Sequence, residues 1–131
     1  MELEIFFEGG LKVNARDGEF IIRTDQAKDS GGEGSAPEPF SLFLASIGTC
    51  AGVYLKSFCD KRGIDTTGIT IIQRYDYNSE RRLVENIELE ARLPEGFPEK
   101  YRNAVISAME LCSVKRHLKD PPEIRASIKQ Q

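Results

Sequence analysis

Hydrophobic positions along the chain switch between two periods. Over residues 35–63, SAPEPFSLFLASIGTCAGVYLKSFCDKRG, the apolar residues Phe40, Phe43, Leu44, Ile47, Ala51, Tyr54, Leu55 and Phe58 recur at spacings of three and four. That is the period of one helical face, and it predicts a single long, mostly buried helix with a cysteine at its middle. Ser35 is a candidate N-cap, Pro37 and Pro39 stand where a missing N–H costs nothing, and Glu38 faces the positive end of the helix dipole. Gly63 after Lys61 and Arg62 ends the pattern with a cationic last turn and a residue suited to the left-handed cap.

On either side the period falls to two. Residues 2–8 and 11–15 alternate around Gly9-Gly10 and predict a β-hairpin, Asp17-Gly18 marks the next turn, and 19–24 (EFIIRT) a third strand. Residues 25–35 are small and polar, with Gly31, Gly32 and Gly34 close together, and predict a mobile loop feeding the helix. Residues 69–78 and 83–93 form a second strand pair across the polar turn Ser79-Glu80-Arg81, with one face wet. A second helix is predicted from about Glu99, with Tyr101, Ala104, Val105, Ala108 and Cys112 as its apolar stripe. Cys112 would sit near its end, and residues 113–120 either extend it or form a short turn. Pro121-Pro122 stops it, and Ile124, Ala126 and Ile128 predict a last strand.

Strands grouped this way imply an α+β fold, a mainly antiparallel sheet packed on two main helices. With no repeat and no linker, residues 1–131 are expected to form one domain. The long helix is apolar around much of its surface, so a homodimer that buries it is expected.

Composition narrows the function classes. The formal net charge is -3, the pI about 5.3, and no basic stripe with interleaved aromatics occurs, so nucleic acid is not an expected partner. No apolar run reaches bilayer-spanning length, and the N-terminal MELEIFF carries acids where a signal peptide carries positive charge. A cytoplasmic protein with no membrane partner is expected. The segment GEGS lacks the lysine and the preceding strand of a phosphate loop.

The 3 cysteines and 1 histidine frame the remaining chemistry. No Cys-x-x-Cys pair occurs, so a disulfide, if any, would be functional rather than structural. Gly48, Gly52, Ala45 and Ala51 surround Cys50 with small side chains, which suits either close approach of another backbone or a break in the helix. Cys59, on the opposite flank, cannot reach Cys50 within a continuous helix. Cys50 and Cys112 are the candidate thiol pair, which would need one sulfur held as thiolate and a second to resolve it after oxidation. At mid-helix, Cys50 is far from its own helix N-terminus unless the helix breaks near Gly48, so a charged side chain such as Arg16 or Arg23 would have to activate it. Each residue also has a plainer reading: buried free cysteines are usually inert, Arg16 sits beside a turn, Glu38 at a helix start, and His117 within a surface basic run. A zinc site built on Cys50, Cys112 and His117 is disfavoured by the absence of a short ligand pair.

The segment APEPFSLFLASIGTCAGVYLKSFCDKRGI, with ELCSVKRHL some sixty residues after Cys50, resembles the OsmC/Ohr superfamily of osmotically inducible and organic-hydroperoxide-resistance proteins. The preceding strands with RDG and the Gly-rich loop extend the resemblance over essentially the whole chain. It implies an intertwined homodimer with a thiol peroxidase site at the subunit interface, acting on a hydroperoxide and regenerated by an external dithiol, with no cofactor or metal. By that resemblance Cys50 corresponds to the peroxidatic cysteine, Cys112 to the resolving cysteine, Glu38 to the acid of the Pro-Glu motif and Arg16, with Arg23 as its rival, to the thiolate's arginine. Ser113 stands where the peroxidase branches usually carry proline, and the Gly48-Thr49-Cys50-Ala51-Gly52 context is more similar to the general OsmC-like group. A small-ligand-binding or stress-associated dimer without peroxidase activity is the alternative.

Overall fold

The computed structural model describes all residues, Met1–Gln131, as ten elements of which five are strands. The chain forms two compact units, Met1–Ala45 and Ser46–Gln131.

In the first unit, β1 (Glu4–Phe7), β2 (Val13–Asp17) and β3 (Phe20–Ile22) make an antiparallel meander in the order β1-β2-β3. Ile5 pairs with Ala15 and Ala15 with Ile22, the register expected from the alternation. β1 and β3 are shorter than the expected 2–8 and 19–24, and β2 is shifted from 11–15 because the Gly9-Gly10 turn runs on to Lys12, whose N–H donates to the Gly9 carbonyl at 3.1 Å. The loop that follows is built around a buried carboxylate. Asp25 accepts from Gln26 N–H (2.7 Å), Glu33 N–H (3.3 Å), Ser35 N–H (3.0 Å) and Ser35 Oγ (2.6 Å). These donors hold its carboxyl down at about 2, the Ser35 hydroxyl first among them. Ser35 therefore serves Asp25 and is not the N-cap of the long helix. Gly32 is required in this loop, since a Cβ there would lie 2.1 Å from the Gln26 carbonyl oxygen.

Helix α1 (Pro39–Lys61) is continuous, with Ser41 N–H and Leu42 N–H donating to the Glu38 carbonyl at its start. By length and composition α1 could cross a membrane, a correction to the reading that no stretch reaches that length. A core helix of a water-exposed protein satisfies the same test.

In the second unit α1 buries Ile47, Ala51, Leu55 and Cys59, a row at spacings of four, whereas Tyr54 and Phe58 of the expected stripe are half-buried and Phe40 and Phe43 exposed. The helix is not mostly buried, and Cys59, expected on the opposite flank, lies in the core. Against this stripe lie β4 (Thr70–Asn78) and β5 (Leu83–Arg92), an antiparallel pair whose Ile71, Leu89 and Ala91 join the same core. Asn78 closes the turn between them by accepting from Glu80 and Arg81 N–H, and Arg82 takes the left-handed conformation at φ 57°. A 3₁₀ turn (Glu99–Tyr101) leads into α2 (Arg102–Glu110), which contributes the fully buried Val105 together with Ala108 and Met109.

Two boundaries depart from expectation. Leu111 and Cys112 separate α2 from a distinct helix α3 (Ser113–Lys119), so Cys112 is not in the α2 stripe but is the N-cap of α3. No strand forms at Ile124, Ala126 and Ile128; the tail after Asp120 is extended coil with Ile124 and Ile128 exposed. The double proline ends α3, and no strand lies alongside the tail to accept its hydrogen bonds. The architecture is α+β with antiparallel sheets and three α-helices.

Candidate thiol site

Cys50 sits at the centre of α1, half-buried, one residue before the fully packed Ala51. Gly48 on the preceding turn leaves room for the Gln73 side chain of β4: a Cβ at Gly48 would fall 2.5 Å from its Oε1. Gly52 has ordinary room, with Ile71 Cδ1 at 3.7 Å from where its Cβ would be. Gly48 and Gly52 thus face side chains, and the helix does not break.

What approaches Cys50 is the start of another helix. The first N–H groups of any helix lack partners within it. In α3 these orphans are divided between two sulfurs. The N–H groups of Ser113 and Val114 face Cys50 closely enough to favour its thiolate, while Lys115 N–H donates to Cys112 Sγ at 3.4 Å. The first intrahelical bond then runs from Arg116 N–H to the Cys112 carbonyl at 3.1 Å. Ser113 Oγ lies 3.6 Å from Cys50 Sγ, and the Cys112 side chain is also in hydrogen-bond reach of Cys50.

This arrangement lowers the Cys50 thiol to about 7, the Val114 N–H contributing most, then the Ser113 hydroxyl, against a counteracting penalty from burial. Donors aimed at a sulfur favour its charged form. Cys59, nine residues on in the same helix, meets no such donors, and burial pushes its thiol up. All three cysteines are free thiols.

Below the pair, Cys112 lines a groove of about 650 Å³ with Ile47, Leu89, Ala91, Ile106 and Met109. Arg102 and Lys115 stand among its lining residues, and Lys115 pairs with Glu110. Of the other candidate residues, Arg16, Arg23 and Glu38 belong to the first unit and His117 to the second. Arg16 is held by Glu4 at 3.3 Å and lies over the Phe6 ring at 5.2 Å. Arg23 pairs with Glu8 at 2.7 Å. Glu38 accepts from Ala27 N–H at 3.2 Å, tying the loop to the start of α1. His117 Nδ1 donates to the Ser113 carbonyl at 2.6 Å, and no cluster of three or more His, Cys, Asp and Glu is placed to hold a metal.

Sequence reasoning brought forward both thiols but not Ser113 or Val114. Their role is set by where α3 begins, and no hydrophobic periodicity marks a helix of 7 residues. The signal available was a hydroxyl residue directly after Cys112.

Comparison with known proteins gives a consistent picture. The family model described as OsmC-like protein matches residues 32–127. Among curated proteins none matches. Similar solved structures include a putative osmotic stress induced and detoxification response protein from Psychrobacter arcticus, at 20% identity and TM-score 0.75, covering 87% of this chain and 85% of that one. An organic hydroperoxide resistance protein OsmC from Legionella pneumophila is 18% identical with TM-score 0.56, covering 91% and 90%. A putative organic hydroperoxide resistance protein from Vibrio cholerae, with captopril bound in one of its active sites, is 17% identical with TM-score 0.60, covering 92% and 86%. At these identities the likeness shows a shared fold.

Proposed function

Because the chain belongs to the OsmC-like protein family, we propose that it is a cysteine-based organic hydroperoxide reductase that works as a cytoplasmic homodimer. The observation that carries this reading is the meeting of Cys50, its thiol lowered to about 7, with the free thiol of Cys112. A thiolate present at neutral pH is the nucleophile such chemistry needs.

In the proposed cycle the Cys50 thiolate attacks the outer oxygen of a hydroperoxide. The O–O bond breaks, the sulfur is oxidised to a sulfenic acid, and the alkoxide leaves as an alcohol after taking a proton. The Cys112 thiol then attacks the sulfenic sulfur, forming the disulfide and releasing water. An external dithiol restores both thiols by exchange. Glu38 and Arg16, with Arg23 as the alternative cation, complete the proposed site.

Purified protein should consume cumene or t-butyl hydroperoxide in the presence of a dithiol. Cys50→Ser should abolish this, whereas Cys112→Ser should form a sulfenic acid that dimedone traps while turning over poorly. Activity surviving Cys50→Ser refutes the assignment.

A second reading, a binding protein for a small apolar ligand, is favoured by the groove of about 650 Å³ lined with aliphatic side chains. It predicts no Cys50–Cys112 disulfide after peroxide treatment and a Cys50 pKa near the ordinary thiol value of about 8.5.

A further inference from the structure

A thiolate can be held by a nearby cation or by hydrogen bonds to its charged form. At Cys50 the second device is on view, and one of its parts is a side chain. Ser113, the first residue of α3, is half-buried and carries its Oγ to 3.6 Å from Cys50 Sγ, across 63 residues of sequence. We propose that the Ser113 hydroxyl, beside the Val114 N–H, helps to hold Cys50 as a thiolate by donating to its sulfur. The proposal deepens the reading of Cys50 as the attacking sulfur.

The neighbouring polar side chains of α3 are engaged elsewhere. Lys115 directs its ammonium to Glu110 and its N–H to Cys112, while His117 Nδ1 is engaged by the Ser113 carbonyl. The titratable group facing Cys50 from this side is Cys112 itself. A hydroxyl also suits a sulfur that changes charge. It donates to a thiolate, can turn to accept from a sulfenic O–H, and leaves no buried charge behind when the disulfide forms. A guanidinium, always charged and donor-only, offers the first of these alone.

The test reads the ionisation of Cys50 directly, by the rate of iodoacetamide alkylation against pH, with the Cys50 peptide followed by mass spectrometry in the full chain. Ser113→Ala should raise the Cys50 pKa by about one unit, so that alkylation at pH about 6 slows roughly tenfold. Ser113→Thr, which keeps the hydroxyl, should restore the wild-type profile; a merely structural role would not distinguish the two. Ser113→Pro should shift the pKa at least as far as alanine, because it also removes the N–H that reaches Cys50. Cys112 at ψ 133° already has the conformation a following proline demands, and the first helical position tolerates it.

An unchanged Cys50 profile in Ser113→Ala overturns the proposal, as does failure of threonine to restore a shifted one. The titration uses no peroxide. Wild-type protein that consumes no hydroperoxide while Ser113→Ala shifts the pKa would therefore sink the peroxidase reading and leave the Ser113 assignment supported.

Discussion

At the scale of single residues, donors decide ionisation more than burial does. Cys50 and Cys59 share a helix, yet one is lowered by N–H and O–H groups and the other raised, first by burial and then by the Asp60 charge. Asp25 follows the same rule on the acid side. It has no exposed surface, but four donors keep it charged, and its pKa lies at about 2 against the ordinary 3.8. A depressed carboxylate contributes stability that is fully present above the unfolded value and is lost as pH falls through the folded one. Wild-type protein should therefore lose stability between about pH 4 and 2 through this group. Asp25→Asn should be less stable at neutral pH and show a flatter decline over that window, by urea denaturation at stepped pH. An equally steep decline in the variant would place the titrating group elsewhere.

At the scale of elements, α1 shows why a long hydrophobic stripe is not a uniform one. Its face over Ile47, Ala51, Leu55 and Cys59 meets the β4–β5 pair and α2 in one cluster with Phe97, Val105 and Met109. Leu55, 3% exposed, lies within that cluster. Leu55→Ala should cost about 2–5 kcal/mol, the removed methyl groups plus the cavity left behind, read from the urea midpoint at constant m value. A cost under about 1 kcal/mol would mean that the cluster collapses freely around the site. Helix α3 contributes differently: its packing is slight, and its importance lies in which atoms its first turn presents.

At the scale of the molecule, the chain leaves much apolar surface uncovered. Phe40 is 49% exposed, Val53 65% and Leu111 61%, alongside Ile106 and Phe20. Large apolar side chains left in solvent on both units suit burial in a dimer interface, and obligate dimers typically bury more than about 2,000 Å². Light scattering after size exclusion should give twice the 14.7 kDa chain mass. Phe40→Glu with Val53→Glu should shift the species toward monomer, because each charge would be buried without a partner. A wild-type monomer at micromolar concentration would remove the dimer from the proposed function.

The sequence by itself determined the elements whose signal is local. The period of the long helix, the Gly9-Gly10 and Asp17-Gly18 turns, the strict alternation of β5 and the two candidate thiols follow from side-chain spacing, because one buried face imposes that spacing on the chain. It could not determine the end of α2, the start of α3 or the fate of Ile124–Ile128. Those depend on neighbours distant in the chain: a strand needs an edge to pair with, and a short helix needs something to take its first N–H groups. Only the tertiary structure decided that the start of α3 faces Cys50, and with it which groups set the charge on that sulfur. Hydrogen bonds to a sulfur act over a few ångströms of space, and spacing along a chain carries no record of them.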